Sequence, residues 1–330
     1  MSTGSQDARS SVLVIGQEHI GGLASSLSSG FRDLGWDARH VKWGPWRPVL
    51  LSRLAARASS MAEPFRYQLR RQVAAAARDR TFDLVVVVKG PFLDASTISA
   101  IRRSTGAPLV CWNPDSPFDG SMSNSGGGMA AAIPLYDAYV TWADEVAERL
   151  QARARHVEVI PFGFDPHMHF HEPSAGIAED RLVFIGTATA ERQAWLSRLA
   201  TWEPAIFGNG WEPSPGLDIR APVFGSEFRS VVGEARWNLN LLRQQNRTSH
   251  NMRTFEIPGC GGRQLAPMSA DHERFQESTK AGLFADFDEL TALLDSTPPA
   301  SPLDTPERLE NHSYRSRVAV LVDHLHRGSW

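Results

Sequence analysis

The residues best placed to do chemistry lie between positions 238 and 262. They read Asn238-Leu-Asn-Leu-Leu-Arg-Gln-Gln-Asn246 and then Asn251-Met-Arg-Thr-Phe-Glu-Ile-Pro-Gly-Cys-Gly-Gly262. The pattern is a short buried strand, a polar loop, and a helix around Asn251 to Cys260 whose first turns carry Arg253 and Glu256. A helix start offers unpaired N–H groups and the positive end of a dipole, which suits a diphosphate. An arginine there adds fixed, bidentate donors to phosphate oxygens, and a carboxylate at the same end can accept both hydroxyls of a ribose. Gly261 and Gly262 allow close backbone approach to a ligand or a neighbouring strand. The competing reading is an i,i+3 ion pair on a helix surface, worth roughly 0.2–0.5 kcal/mol.

Other candidates are more scattered. The loop Gly16-Gln-Glu-His-Ile-Gly-Gly22 follows the first strand; it has neither the Gly-Lys-Ser/Thr ending of a phosphate loop nor the dinucleotide fingerprint. Its His19 is either a substrate contact or a solvated loop residue. Trp112-Asn-Pro-Asp-Ser-Pro-Phe118 closes a parallel strand at the end where α/β ligands gather. Asp115 is the candidate catalytic or acceptor-orienting carboxylate, with a proline-flanked Asx turn as the alternative. Lys89-Gly90 ends another strand. His167, His169 and His171 alternate and in an extended segment would share a face; a zinc site would also need fixed geometry and supporting contacts, so no residue is assigned to a metal. Arg53, Arg57, Arg66, Arg70, Arg71, Arg78 and Arg80 form a basic helical region, either a solvated face or a contact for anionic lipid.

The elements that must hold these residues alternate between strand and helix. Strands are expected at 12–15, 37–41, 84–88, 109–112, 138–141 and 157–160, with helices at 23–34, 50–80 (broken at Pro64) and 144–153. Leu84-Val-Val-Val-Val88 is a continuous apolar run, as in a strand buried on both faces of a parallel sheet. After the loop 161–173 the pattern restarts. Strands are expected at 182–185, 205–207, 238–242, 264–266 and 282–285, with helices at 191–199 and 288–294 and a last helix from 307 to 326. This is an α/β chain of two doubly wound domains, residues 1–160 and 161–305, with 306–330 as a closing helix.

Composition narrows the class. The 330 residues suit two domains, and 42% hydrophobic with 22% charged is globular. A net charge of −3 gives no global basic field for nucleic acid. Lys42, Lys89 and Lys280 are the only lysines, so an anion site here must use arginine or backbone N–H groups. Two distant cysteines exclude a disulfide framework. No apolar run reaches membrane-spanning length, and residues 1–9 do not read as a signal peptide; a cytoplasmic location is expected.

The segment 238–262 resembles the C-terminal domain of the CgeB-type (spore maturation protein) glycosyltransferases, relatives of the group 1 GT-B enzymes. The resemblance rests on Asn240 to Arg243, Arg253, Phe255, Glu256, Gly261 and Gly262, and extends to Val183-Phe-Ile-Gly-Thr187 with Arg192, to Val159-Ile-Pro-Phe-Gly-Phe-Asp-Pro166 and to His312-Ser-Tyr-x-x-Arg317. It implies a GT-B fold, two Rossmann-like domains facing a cleft, with the closing helix packed back on the first. It implies an enzyme that moves a sugar from a nucleotide-diphosphate sugar to an acceptor, with retention and without metal or other cofactor. Glu256 would hold the donor ribose. Gly186, Thr187, Arg192, Arg243, Asn251 and Arg253 would line the diphosphate, while Gly21, Gly22, His19 and Lys89 would face the acceptor, a small molecule, polymer or protein. The related enzymes often carry a second glutamate eight positions before the first; here position 248 is Thr. The alternatives are a GT-B-shaped nucleotide-sugar epimerase and a non-catalytic nucleotide or carbohydrate binder.

Overall fold

The structure is a computed structural model that describes residues 9–17, 19–42, 62–90, 93–118, 128–171, 181–297 and 307–328. The chain forms two compact units, Met1–Pro161 with Tyr314–Trp330, and Phe162–Ser313.

The first unit is built on six parallel strands: β1 (Ser11–Gly16), β2 (Asp37–Lys42), β3 (Leu84–Val88), β4 (Leu109–Trp112), β5 (Ala138–Thr141) and β6 (Val157–Val159), in the order β2-β1-β3-β4-β5-β6. Every residue of β1, β3, β4 and β5 is buried, which explains why their sequences are apolar except for Ser11 and Thr141, each at a strand end. The chain leaves β1 in one direction towards β2 and in the other towards β3. Their carboxyl ends are therefore the topological switch point where ligands of such sheets sit.

Helices Leu23–Asp33, Glu63–Arg78, Ala95–Thr105 and Asp144–Gln151 connect these strands. Pro64 sits in the first turn of its helix, where its missing N–H costs nothing; residues 50–61, expected as helix, lie outside the described residues. The basic stretch is not one cationic face. Arg66 is buried and pairs with Asp94 at 3.2 Å, Arg70 with Glu63 and Arg80 with Asp37; Arg53 and Arg57 are outside the described residues.

The expected helix 307–326 is two helices, Glu307–Glu310 and Tyr314–His326, in different units. Between them Ser313 bridges to Phe164, the Phe164 N–H donates to the His312 carbonyl at 3.1 Å, and His312 stacks on Phe255 at 4.6 Å. Tertiary contacts at His312 thus override a helical periodicity that no Gly or Pro interrupts. Helix Tyr314–His326 packs on helix Leu23–Asp33 in the first unit. A Cβ on Gly30 would lie 2.7 Å from the Tyr314 carbonyl oxygen, so only glycine permits that approach.

The second unit carries β7 (Leu182–Ile185), β8 (Ala205–Phe207), β9 (Asp218–Arg220), β10 (Trp237–Leu239), β11 (Gln264–Pro267) and β12 (Gly282–Phe284), all parallel, ordered β12-β11-β10-β7-β8-β9. Its switch point lies between β7 and β10. Strand β9, Asp-Ile-Arg, was not expected: it is a half-buried edge strand with charged ends. Among the described residues no helix is long and apolar enough to cross a membrane.

Candidate functional site

At the β7/β10 switch point the two strands deliver two loops. After β7 come Gly186 and Thr187, and Thr189 caps helix Ala190–Arg198, its hydroxyl accepting from the Arg192 N–H at 3.2 Å. Gly186 is hemmed in: the Trp211 indole donates to its carbonyl at 3.0 Å, and its missing Cβ would lie 3.3 Å from the Arg192 guanidinium. Thr187 is exposed.

Arg192 is 8% exposed. One terminal nitrogen donates to the Thr187 carbonyl at 3.1 Å and the other to the Leu241 carbonyl at 2.6 Å, joining the two loops. Its Nε has no partner, and the group lies 5.3 Å over the Phe184 ring. Burial, followed by the positive charges of Arg243 and Arg253, lowers its pKa to about 10. A buried guanidinium bonded only to carbonyls, in the field of two further arginines, is an anion-seeking arrangement.

Strand β10 ends at Leu239, and Asn240 to Arg243 leave the sheet as the polar loop. Asn240 is buried and accepts from the Asn251 amide at 2.7 Å, while Asn251 in turn accepts from the Thr254 N–H at 3.2 Å. Asn251 thereby ties the start of helix Arg253–Gly259 to the end of β10. Arg192, Asn240, Leu241, Asn251 and Arg253 line one narrow cavity of ≈ 20 Å³. Arg243 is exposed at the start of the following turn.

Arg253 is one-third exposed and pairs with Glu256, which is 2% exposed. The pair is therefore half buried, unlike a surface i,i+3 bridge. The Arg253 guanidinium lies 4.4 Å over Phe228. The other Glu256 oxygen faces His169 Nε2 at 3.7 Å. The Asp165 N–H donates to His169 Nδ1 at 3.3 Å, which puts the ring proton of the neutral form on Nε2, towards Glu256. Burial depresses the His169 pKa, against the pull of Glu256.

Gly261 and Gly262 stand at the other end of the helix. Gly261 has φ +79°, and a Cβ on Gly262 would lie 2.6 Å from Val232 and 2.8 Å from the Asn238 amide. They serve a turn and a close packing contact, and neither lines the cavity. His167, His169 and His171 do not converge, because 166–168 is a turn rather than an extended strand; His169 packs edge-on to Phe228 instead. Asp286-Phe-Asp288 has the spacing of a metal-chelating pair, but Asp286 caps helix Phe287–Asp295, accepting from the Glu289 N–H at 2.9 Å.

Phe228, Asn240 and His169 complete this site without having been singled out as donor-binding residues. Asn240 lay in the segment 238–262, and His169 was read only with His167 and His171 against a metal; Phe228 comes from a distant stretch whose sequence gives no local signal. A second buried group, His250 with Asp271 at 2.7 Å and His272 with Thr254 at 3.0 Å, supports helix Arg253–Gly259 from below.

In the first unit, Lys89 follows β3 with φ +65°, a conformation costly for a residue with a Cβ. It is held by its N–H on the Trp112 carbonyl at 2.8 Å. Its ammonium meets Asp115 at 2.5 Å. Asn113 forms the Asx turn, accepting from the Asp115 N–H at 3.1 Å, which leaves the Asp115 carboxylate to Lys89. Gly21 (φ +69°), Gly22 and the exposed His19, hydrogen-bonded to Gln17 at 3.1 Å, form the loop after β1. Lys89, Asp115 and this loop thus all follow carboxyl ends of β1, β3 and β4. Both cysteines are buried and free; burial raises both thiols, Cys111 to about 12, so neither is a nucleophile.

Comparison with known proteins agrees with this architecture. Residues 191–328 match the family described as glycosyl transferase-like. No curated protein matches the chain in sequence. Among solved structures, a trehalose-6-phosphate synthase superposes with a TM-score of 0.62 at 10% identity, covering 96% of this chain and 99% of that one. An alpha-glucosyltransferase in complex with UDP-glucose and DNA containing an abasic site gives 0.59 at 13%, covering 97% and 100%. The UDP-GlcNAc 2-epimerase from Methanocaldococcus jannaschii gives 0.55 at 10%, covering 95% and 99%. The chain has the GT-B glycosyltransferase fold, and its C-terminal portion matches the glycosyl transferase-like family.

Proposed function

We propose that this protein is a glycosyltransferase whose second unit binds the diphosphate of a nucleotide sugar at the β7/β10 switch point. The observation that carries the reading is Arg192: buried, without a carboxylate partner, and pressed by Arg243 and Arg253. A diphosphate supplies the missing anion. As the bond from the sugar to the diphosphate breaks, charge grows on the leaving oxygen, and these fixed cations stabilise it. Three guanidinium groups can do what a metal does elsewhere, so the proposed transfer is metal-independent. Glu256 would exchange partners: when Arg253 turns to phosphate, the carboxylate is released to accept the ribose hydroxyls. In the first unit Asp115, held by Lys89, is the proposed acceptor-orienting carboxylate. Retention of configuration is part of the proposal and rests on the family resemblance alone.

The test is a panel of nucleoside diphosphates and their sugars, read by thermal shift and then by product analysis. At least one diphosphate should raise the melting temperature. Arg192→Gln should weaken its binding about 10- to 100-fold, the range for a charge-assisted hydrogen bond, and Glu256→Gln should weaken the nucleoside more than free pyrophosphate. No binding by any member of the panel would sink the proposal. Conversion of the donor to an epimer without acceptor would favour the epimerase reading, which shares the fold.

A further inference from the structure

Three side chains of the first unit, far apart in sequence and unused in the reading above, converge on one point. His156 Nε2 and His324 Nδ1 each lie 2.5 Å from the same oxygen, Oε1 of Glu158, and the three candidate ligand atoms lie within 4.8 Å of one another. We propose that His156, Glu158 and His324 bind a divalent cation of the zinc class.

The chemistry of the donor set selects the ion. Two imidazole nitrogens and one carboxylate oxygen suit Zn²⁺ or a neighbouring borderline metal and disfavour Mg²⁺ and Ca²⁺, which prefer oxygen shells. Bonds of about 2.0–2.2 Å in a tetrahedron hold ligand atoms about 3.3 Å apart, so each imidazole need withdraw by less than about 1 Å. A neutral imidazole makes this change by moving its proton to the other ring nitrogen.

Backbone geometry prepares the site. His156 directly precedes β6 and Glu158 lies within it, two residues on and hence on the same face of the extended chain. His324 lies in the last turn of helix Tyr314–His326, where the negative end of the helix dipole favours a cation. The three side chains are 31%, 14% and 29% exposed, so an ion can enter from solvent and a water can take the fourth position. Strand β6 is the outermost strand of its sheet. A metal here would clamp the C-terminal helix to that edge.

The experiment uses the full chain, stripped with a chelator and titrated with ZnCl₂ by calorimetry and thermal shift. One zinc should bind and raise the melting temperature in a concentration-dependent way, while MgCl₂ does neither. His324→Gln and Glu158→Gln should each weaken zinc binding by about 100-fold or more, with an unchanged far-ultraviolet circular dichroism spectrum. Absence of zinc binding by the wild-type chain, or wild-type affinity in His324→Gln, overturns the proposal. Should either variant fail to fold, X-ray absorption of the zinc-loaded wild-type chain decides. A shell with two imidazoles supports the site; a sulfur ligand or fewer than two imidazoles rejects it.

Discussion

At the scale of single residues, this protein places charge where it is costly. Arg192 is held by two carbonyls rather than by a hydrogen-bonded carboxylate, and Arg243 and Arg253 outweigh the opposing charge of Glu191. His169 and His272 show the opposite choice, kept neutral by burial. The His272 Nδ1–H donates to the Pro267 carbonyl at 2.7 Å, which leaves Nε2 to accept from Thr254. Both folded-state pKa values lie below the ordinary 6.5. Well above pH 6.5 neither ring is charged in either state, and they add no slope. As the pH falls from 6.5 through their folded values, the unfolded chain takes up protons first and stability drops. Below about pH 3.8 a further loss follows, because Asp271, Asp94, Asp37 and Asp218 have lowered pKa values in the fold. Urea unfolding at pH 7.5, 6.5 and 5.5 should show the first loss, and His169→Gln should have a shallower slope. A stability that rises on acidification over this window would contradict the assigned neutral histidines.

At the scale of elements, legibility followed the physics of burial. The strands buried on both faces announce themselves as apolar runs, and the segment from Asn238 to Gly262 carries loop and helix in plain order. What the sequence hides is decided by distant partners. Strand β9 has one apolar residue among three, and its pairing with β8 comes from the sheet rather than from its own composition. The break at Asn311–Ser313 depends on the bridge to Phe164 and the stack on Phe255. Arg253 and Glu256 were readable as a pair, but the placement of Phe228 and His169 beside them was not, since they lie 25 and 84 positions before Arg253. The double glycine reads as a close approach to a ligand or a neighbouring strand; Gly262 packs against Val232 and Gly261 makes a turn. Gly30 makes the sharpest element-level prediction. In mid-helix, Gly→Ala ordinarily stabilises by roughly 1 kcal/mol. Here the new methyl would meet the Tyr314 backbone at 2.7 Å, and backbone cannot rotate away. Gly30→Ala should therefore destabilise, by up to about 2 kcal/mol after the propensity gain is set against an overpacking cost of about 1–3 kcal/mol. Thermal unfolding gives the sign directly.

At the scale of the whole molecule, the first unit is discontinuous in sequence and the second is not. Helix Tyr314–His326 buries Tyr314, Val318, Leu321 and Val322, and stacks His326 near Trp36 at a ring separation of 6.5 Å. A chain ending at Ser313 should keep a folded second unit and lose cooperative unfolding of the first. Limited proteolysis should then cut within residues 1–161 and spare 162–313; equal resistance of both parts would contradict this division.

That discontinuity also sets an order of birth. On a ribosome making about 5–20 residues per second, roughly 10–30 s separate the emergence of β6 from that of helix Tyr314–His326. Throughout that interval the apolar flank of helix Leu23–Asp33 lacks its cover, whereas the contiguous second unit can close upon itself as soon as its own last residue has emerged. Nascent chains should consequently be most vulnerable to aggregation, and most dependent on chaperones, in the half that was synthesised first.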